Sequence, residues 1–593
     1  MTSIEVPVLI IGGGGCGLVS SILLSNLGVE HLLVERHEST SRLPKAHYLN
    51  QRTMEIFRQH GIADEIYAVG APIEKMGRVR WQTSLGGDGP IDRRTIAVMD
   101  AFGGNSLRER YRADSPCDAS NYPQLRLEPL LRRLAEQRGP GRVRFHHEVH
   151  DWEQTPTGVV CSVVSHPSGE QITVKARYVI AADGGKTVGP KLGIPMHGPT
   201  NMIDFVSTHF SADLSEYWDD QSLITWFLNP EGGSSWGAGA LVQVGPTWGR
   251  HSEEWVLHFG FLPNDPARFN EDTLVPKIRE LLRLPDLQPK VHRISHWELD
   301  RVVAERWREG DIFLAGDAAH RQPPPTGLGL NTAIADAHNL TWKIAAVLRG
   351  EADASVLDTY EAERKPTASH GADWSMLAFT NRAVIDAGIG LMPGAPPGFN
   401  VAAVHALFAD DLLGRTLRAR ASEAVATQRL EFQAHDIELG YAYESRAVIP
   451  DGTPAVSRSE FGTEYIPTTR PGHRLPHAWL EPAGQSQPVS THDLVAQTGG
   501  FLLLTGPRGG AWRDAAAAVS EATATSIRTA QVGPACEYSD PTARWAELSA
   551  IAEDGALLIR PDQHVAWRSD TAPADAEGAL HDAVRRVLGR EAS

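Results

Sequence analysis

Val6-Pro7-Val8-Leu9-Ile10-Ile11-Gly12-Gly13-Gly14-Gly15-Cys16-Gly17 is the stretch whose reading decides the fold. A strand at 6–11 feeds a turn tight enough to demand Gly12. Gly14 lets backbone approach a pyrophosphate, and Gly17 lets the next helix sit close on the sheet. That helix spans 18–27 and returns to a second apolar strand at 31–34. Glu35 stands at the end of this strand, 18 residues after Gly17. A carboxylate there suits a ribose 2′-hydroxyl and repels a 2′-phosphate. The helix N-terminus offers unpaired N–H groups and partial positive charge to phosphates. Strand, helix, strand and acid in register predict a βαβ unit that binds an adenine dinucleotide. A plain buried αβ turn is the alternative.

The 593 residues suggest about three or four domains. A hydrophobic content of 41% and a charged content of 22% are ordinary for a globular chain. The net charge of −17 argues against nucleic acid or an anionic membrane as partner. Cys16, Cys117, Cys161 and Cys536 form neither CxxC pairs nor metal-ligand spacings. Free thiols in a reducing cytoplasm, with no metal site, are therefore expected. The apolar stretch 6–24 lacks a basic flank and holds four successive glycines, so it reads as the strand, turn and helix above and not as a leader or membrane span.

Further along, a helix is expected at 127–137 and strands at 143–152, 159–165 and 172–182. Residues 204–262 are strand-rich and crowd Trp226, Trp236, Trp248 and Trp255 together. Such a sheet is either a wall for a flat apolar ligand or simply core. A strand at 312–315 precedes Gly316-Asp317, and a long helix is expected at 331–348. Helical periodicity breaks at Met392-Pro393-Gly394-Ala395-Pro396-Pro397-Gly398 and resumes over 401–435. A boundary near 468–473 leads into an αβ tail, with strands at 501–505 and 556–560 flanking an Ala-rich helix at 512–522.

Two segments turn the nucleotide reading into a flavin reading. One is Tyr178-Val179-Ile180-Ala181-Ala182-Asp183-Gly184-Gly185. The other is Gly316-Asp317-Ala318-Ala319-His320-Arg321-Gln322-Pro323-Pro324-Pro325-Thr326-Gly327-Leu328-Gly329-Leu330-Asn331. A strand ending in Gly-Asp places a carboxylate on a ribityl or ribose hydroxyl. The proline-rich loop is stiff, and Gly327 with Gly329 lets backbone lie flat on a planar ring. A helix starting near Asn331 points its positive end at the negative charge of a reduced flavin.

Together with the first motif, these segments resemble the FAD-dependent aromatic hydroxylases typified by p-hydroxybenzoate hydroxylase. Asn50-Gln51-Arg52-Thr53-Met54-Glu55, Tyr122-Pro123-Gln124-Leu125-Arg126-Leu127-Glu128 and a third domain resemble the phenol and 2,4-dichlorophenol hydroxylase branch. The resemblance implies an α/β fold: a Rossmann FAD-binding domain (1–190 and 301–400) interleaved with a substrate-binding β-sheet region (191–300). A helical middle region and linker (401–465) and a thioredoxin-like C-terminal domain without CxxC (466–593) follow. It places Gly12, Gly14 and Gly17 on the pyrophosphate and Glu35 on the adenosine ribose. Arg36, Gln124 and Asp317 are also assigned to FAD, and Pro324, Gly329, Leu330 and Asn331 to the isoalloxazine. Asp183 is assigned to both FAD and NAD(P)H. Relatives follow Asp-Gly with a serine and then an arginine; Thr187 and Pro190 stand here instead, which puts the arginine's nicotinamide contact in doubt.

The implied reaction uses NAD(P)H, with NADPH favoured, and O2. A flavin C4a-hydroperoxide transfers oxygen to a ring carbon ortho or para to a hydroxyl. The protein's part is to keep that site dry and the ring in reach. No second GxGxxG follows a strand, so NAD(P)H is expected to visit without its own domain. The substrate is a phenol, a polyketide or a hydroxypyridine. His47 occupies the position of the substrate-facing carboxylate in phenol hydroxylase; it is either a base or a packing residue under the helix. His209 and His258 either face the ligand or belong to the sheet wall, and His320 is expected to bond within its loop. A homo-oligomer, dimer or larger, is expected. The rivals are a Baeyer–Villiger or epoxidising tailoring enzyme and a non-catalytic flavin-bound interaction protein. A halogenase is disfavoured by the lack of a Trp-x-Trp-x-Ile segment.

Overall fold

A computed structural model describes residues 2–228, 230, 239–263 and 265–590. Its central sheet is built on Thr2–Ile11, which lies between Gln171–Ala181 and His31–Glu35, all three parallel. Ile312–Leu314 continues the sheet on one side and Val143–Phe145 on the other, again parallel. Val8, Leu9, Ile10, Leu33 and Val34 are buried almost completely. An unbroken apolar run is what a parallel strand covered on both faces requires. Helix Gly15–Asn26 packs on this sheet and against helices Gln124–Arg138 and Leu328–Leu348. The single strand expected at 143–152 is instead two. His146, at φ 62°, ends the parallel piece, and His147–Thr155 turns away to pair with Gly158–Ser165 in an antiparallel meander.

The second sheet has seven strands, in the order Lys290–Glu298, Asp204–Ser211, Glu254–Phe261, Ala240–Gly245, Ser222–Phe227, Arg78–Gln82, Thr95–Asp100. Alternation divides it. Val206, Phe210, Trp255 and Leu257 fill a core with helix Leu274–Leu282. Ser207, His258, Ala240 and Trp226 form a cross-strand row of paired residues. Trp255 and Trp248 are thus core residues, which corrects the wall reading for both. Trp226 stays half-buried, and Trp236 lies outside the described residues. Helices Ala383–Ile389, Pro397–Leu407 and Leu412–Ala426 share a core with Ile224 and Val242 of this sheet. The proline-rich break falls between the first two of these helices.

The C-terminal region is a four-stranded sheet ordered Ile527–Gln531, Phe501–Thr505, Ala556–Ile559, Val565–Ser569, with helices Gly510–Thr523 and Ala576–Val587 packed together. This is the thioredoxin-like unit, and its apolar residues merge with the core of the first sheet. All four cysteines are free. Among the described residues no helix is long and apolar enough to cross a membrane.

Candidate functional site

Close packing defines the nucleotide end. Gly12 sits at φ +113°, and a Cβ there would meet Ala182 O at 2.3 Å; a Cβ on Gly17 would meet Gly12 O at 2.0 Å. Helix Gly15–Asn26 starts at Gly14 with no side-chain cap and no acid in its first turn, so its leading N–H groups are left for an anion. Glu35 accepts the N–H of Gly13 (2.7 Å) and of His37 (2.9 Å). A carboxylate has about four acceptor positions, which leaves room for ribose hydroxyls. Asp317 is exposed just beyond its strand and Arg36 is half-buried nearby in sequence to Glu35.

Two expected cofactor residues are engaged elsewhere. Gln124 donates to Glu128 Oε1 at 2.6 Å. Glu128, pushed up by burial, also lies 3.6 Å from the Cβ position of Gly14. Asp183 accepts N–H bonds from Gly185 (3.2 Å), Thr187 (2.7 Å) and Val188 (2.9 Å). Asp183 thereby locks the turn into Val188–Lys191.

The ring end is the loop before Leu328–Leu348. This helix begins three residues earlier than expected, because Gly327 at φ 65° closes the loop as an uncapped start. Thr326 holds φ 67°, a conformation that disfavours a β-branched residue. Pro324 is exposed, and nothing lies within 4 Å of a Cβ built on Gly329. Leu330 reaches across so that its Cδ1 stands 2.8 Å from the Cβ position of Gly15, bringing the two glycine segments together. Asn331 does not lie free along a ring. Its Oδ1 accepts Asn50 N–H at 3.0 Å, and its Nδ2 donates to Tyr48 O (3.0 Å) and Gly327 O (2.6 Å). His320 leaves its loop and pairs with Asp336 at 2.7 Å. Burial opposes the charge of Asp336, but His320 and Arg364 hold its pKa below the carboxylate range. Two uncapped helix starts, the open space over Gly329 and carboxylates at Glu35 and Asp317 fit FAD, its phosphates at Gly14 and its ring along 324–330.

His47 stands near enough to His258 for its charge to bear on that ring. His47 Nδ1 lies 2.6 Å from Asn121 Oδ1, held by the pairing of Tyr48–Leu49 with Ser120–Asn121. An amide oxygen only accepts, so Nδ1 carries the hydrogen and Nε2 keeps its lone pair. Burial lowers the His47 pKa, partly offset by Asn121. His258 Nδ1 lies 2.7 Å from Ser207 Oγ, which receives Trp297 Nε1–H at 2.9 Å. Among the described residues Nδ1 is the one acceptor in reach of the buried Ser207 hydroxyl, so the arrangement that satisfies both groups has the hydroxyl donate to Nδ1 and His258 present Nε2–H. Burial, with His47 and Arg382, lowers its pKa to about 3. Beside them stands Trp226, with the Arg382 guanidinium 4.0 Å over its ring and an indole N–H without a partner among the described residues.

His209 belongs elsewhere. It is 6% exposed and bonds Glu254 at 2.9 Å, and Glu254 pairs with Arg126 at 2.8 Å. That network binds the substrate sheet to helix Gln124–Arg138. The sequence reading missed Glu438, which accepts the Tyr48 hydroxyl at 3.0 Å and is raised by burial to about 8. Nothing local marks a residue 390 positions away from its partner.

Comparison with known proteins agrees with this geometry. Residues 5–375 match the family described as FAD binding domain, and 468–591 the family described as aromatic-ring hydroxylase, C-terminal. The chain is 34% identical over 600 residues to a 2,4-dichlorophenol 6-monooxygenase of Cupriavidus pinatubonensis, covering 99% of this chain and 97% of that one. It is 34% identical over 608 residues to a tetracenomycin A2 monooxygenase-dioxygenase of Streptomyces glaucescens, covering 100% and 98%. The crystal structure of the flavin-dependent monooxygenase PieE with FAD and substrate superposes with a TM-score of 0.92 at 36% identity over 100% of both chains.

Proposed function

The chain belongs to the FAD-dependent aromatic-ring hydroxylases, and from that premise we propose that it hydroxylates a phenol ortho or para to the hydroxyl, with His47 as base and His258 as fixed donor. FAD, reduced by NAD(P)H, supplies an electrophilic oxygen atom drawn from O2. The rest falls to side chains. His47 Nε2 takes the phenolic proton, and the phenolate carries more electron density at its ortho and para carbons. His258, neutral down to pH of about 3, offers Nε2–H to the phenolate oxygen without competing for the proton. Trp226, beneath the guanidinium of Arg382, is a flat surface for the ring. The flanking core of Ile224, Ala240, Ile385 and Phe432 keeps water out.

The observation that carries this reading is the pair of ring-nitrogen contacts, His47 Nδ1 to Asn121 Oδ1 and His258 Nδ1 to Ser207 Oγ, from which we infer opposed tautomers. The test is a panel of monocyclic and fused phenols, scored by NADPH oxidation and product mass, with His47→Ala alongside. Loss of a general base costs about 10²–10⁴ in rate. Hydroxylation by the variant at the wild-type rate would overturn the assignment. Exposed Phe399, Leu412 and Leu413 support a homo-oligomer, which light scattering measures. Four unpaired cysteines support a cytoplasmic setting.

A further inference from the structure

Arg560-Pro561-Asp562-Gln563-His564 joins two strands of the C-terminal sheet, yet Arg560, Asp562, Gln563 and His564 are each at most 1% exposed. The turn enters the flavin domain between helices Gln51–Gln59 and Leu328–Leu348. On the first helix, Arg52 donates to Gln563 Oε1 (2.6 Å) and Asp562 O (2.9 Å), and Gln59 donates to Pro561 O (2.9 Å). On the second, Asn339 donates to Asp562 Oδ2 (3.2 Å). Arg560 grips Glu363 with two bonds of 2.6 and 2.8 Å, and Glu363 also receives Lys343 at 2.7 Å. Arg474 of the same domain holds Glu55 with bonds of 2.8 and 2.6 Å. The Arg52 and Glu55 that mark the Asn50–Glu55 motif are therefore spoken for by the C-terminal domain.

Both helices begin at the site. His47 lies four residues before the first, the ring loop precedes the second, and their starts are cross-linked through Asn50, Asn331 and Tyr48. Buried ion pairs add little stability over apolar packing of equal volume, but their directional bonds fix one geometry.

We propose that the 560–564 turn is a positioning wedge that sets the two helices, and with them His47 and the flavin-ring loop, in the arrangement that binds FAD tightly and directs oxygen onto the ring. This rests on the hydroxylase reading for its second half only, since FAD affinity tests the first half without turnover.

The test uses the full chain and three variants. Gln563→Ala removes one of the two acceptors that the turn offers Arg52. Gln563→Glu keeps it, and loses no bond because Gln563 Nε2 has no partner among the described residues. Leu504→Ala opens a cavity in the same domain's sheet, opposite Leu557, and removes no hydrogen bond of the turn. FAD affinity is read by flavin fluorescence, and coupling as hydroxylated product per NADPH oxidised with 2,4-dichlorophenol as probe. Gln563→Ala is expected to weaken FAD at least about fivefold and to lower coupling at least about threefold. Gln563→Glu should stay within about twofold of wild type, and Leu504→Ala should lower Tm with both readouts unchanged. Wild-type FAD affinity in Gln563→Ala, or equal changes in Leu504→Ala, overturns the wedge. A wild-type enzyme that hydroxylates no phenol overturns the hydroxylase reading alone, and the FAD arm still decides.

Discussion

Replacing Asn121 by Asp tests whether His47 is the base. Asn121 is fully buried and its Oδ1 lies 2.6 Å from His47 Nδ1, so the substitution puts a carboxylate against the imidazole with almost no change of shape. At an effective dielectric of about 20, unit charges about 4 Å apart interact by about 4 kcal/mol. Desolvating the new carboxylate takes back much of this, leaving a rise in the His47 pKa of about 1–2 units, or about 1.4–2.7 kcal/mol. A base works only when unprotonated. Activity is therefore lost as pH falls through the His47 pKa, which burial places below the ordinary 6.5 in the wild type. In Asn121→Asp the acid limb of kcat/KM moves up by about 1–2 pH units, giving a deficit of about tenfold near pH 6 that closes by pH of about 9. Asn121→Leu removes the bond that favours the charged form and moves the limb the other way. The assay is kcat/KM for product formation across pH 5 to 9.5 with saturating NADPH. An acid limb that stays in place in Asn121→Asp, in an enzyme that still hydroxylates, would refute the role given to His47.

Gly329→Ala is expected to act in opposite directions on fold and cofactor: the FAD-free chain gains up to about 1 kcal/mol from helix propensity, because its new methyl meets nothing, while FAD affinity falls more than tenfold; thermal melts and flavin titration check both. His209→Gln should leave kcat/KM within about threefold of wild type, whereas His258→Gln should lower it at least about tenfold, as steady-state kinetics will read. Burial lowers His31, His492 and His564 to about 4 and His60 to about 3. Below pH of about 6.5 the unfolded chain binds protons at these positions that the folded chain refuses, so stability is full above 6.5 and falls as pH drops toward 4. The four together give a slope of about 5 kcal/mol per pH unit at its steepest, which urea unfolding at pH 7, 6 and 5 measures.

The first unit was legible because each of its residues answers a local demand. Gly12 and Gly17 have no room for a Cβ, and the alternation of strand and helix needs no distant partner. The ring helix begins three residues before the expected position near Asn331. The true start is Gly327, which only a left-handed φ reveals. The Asp-Gly strand end did not reveal that Asp183 also locks its own turn, because the N–H groups it accepts follow it in a conformation that only the structure shows. Among the histidines, sequence supplied the residue type in the right sheet, but alternation puts His209 and Ser207 on one face and only the partners separate them. His258 shares a cross-strand row with Ser207, while His209 was claimed by Glu254. Glu438 and the 560–564 turn were invisible because their partners lie hundreds of residues away.

The buried acids and bases that join the C-terminal sheet to the flavin helices bear on how such chains lengthen or shorten. Cutting away the last 120 or so residues would take Arg474 from Glu55 and Arg560 from Glu363, leaving the Arg52–Glu55 and Lys343–Glu363 pairs on a newly wetted face. In such a shortened chain water would solvate these pairs, so the demand that buried Arg474 and Arg560 place on residues 55 and 363 would lapse together with the tail.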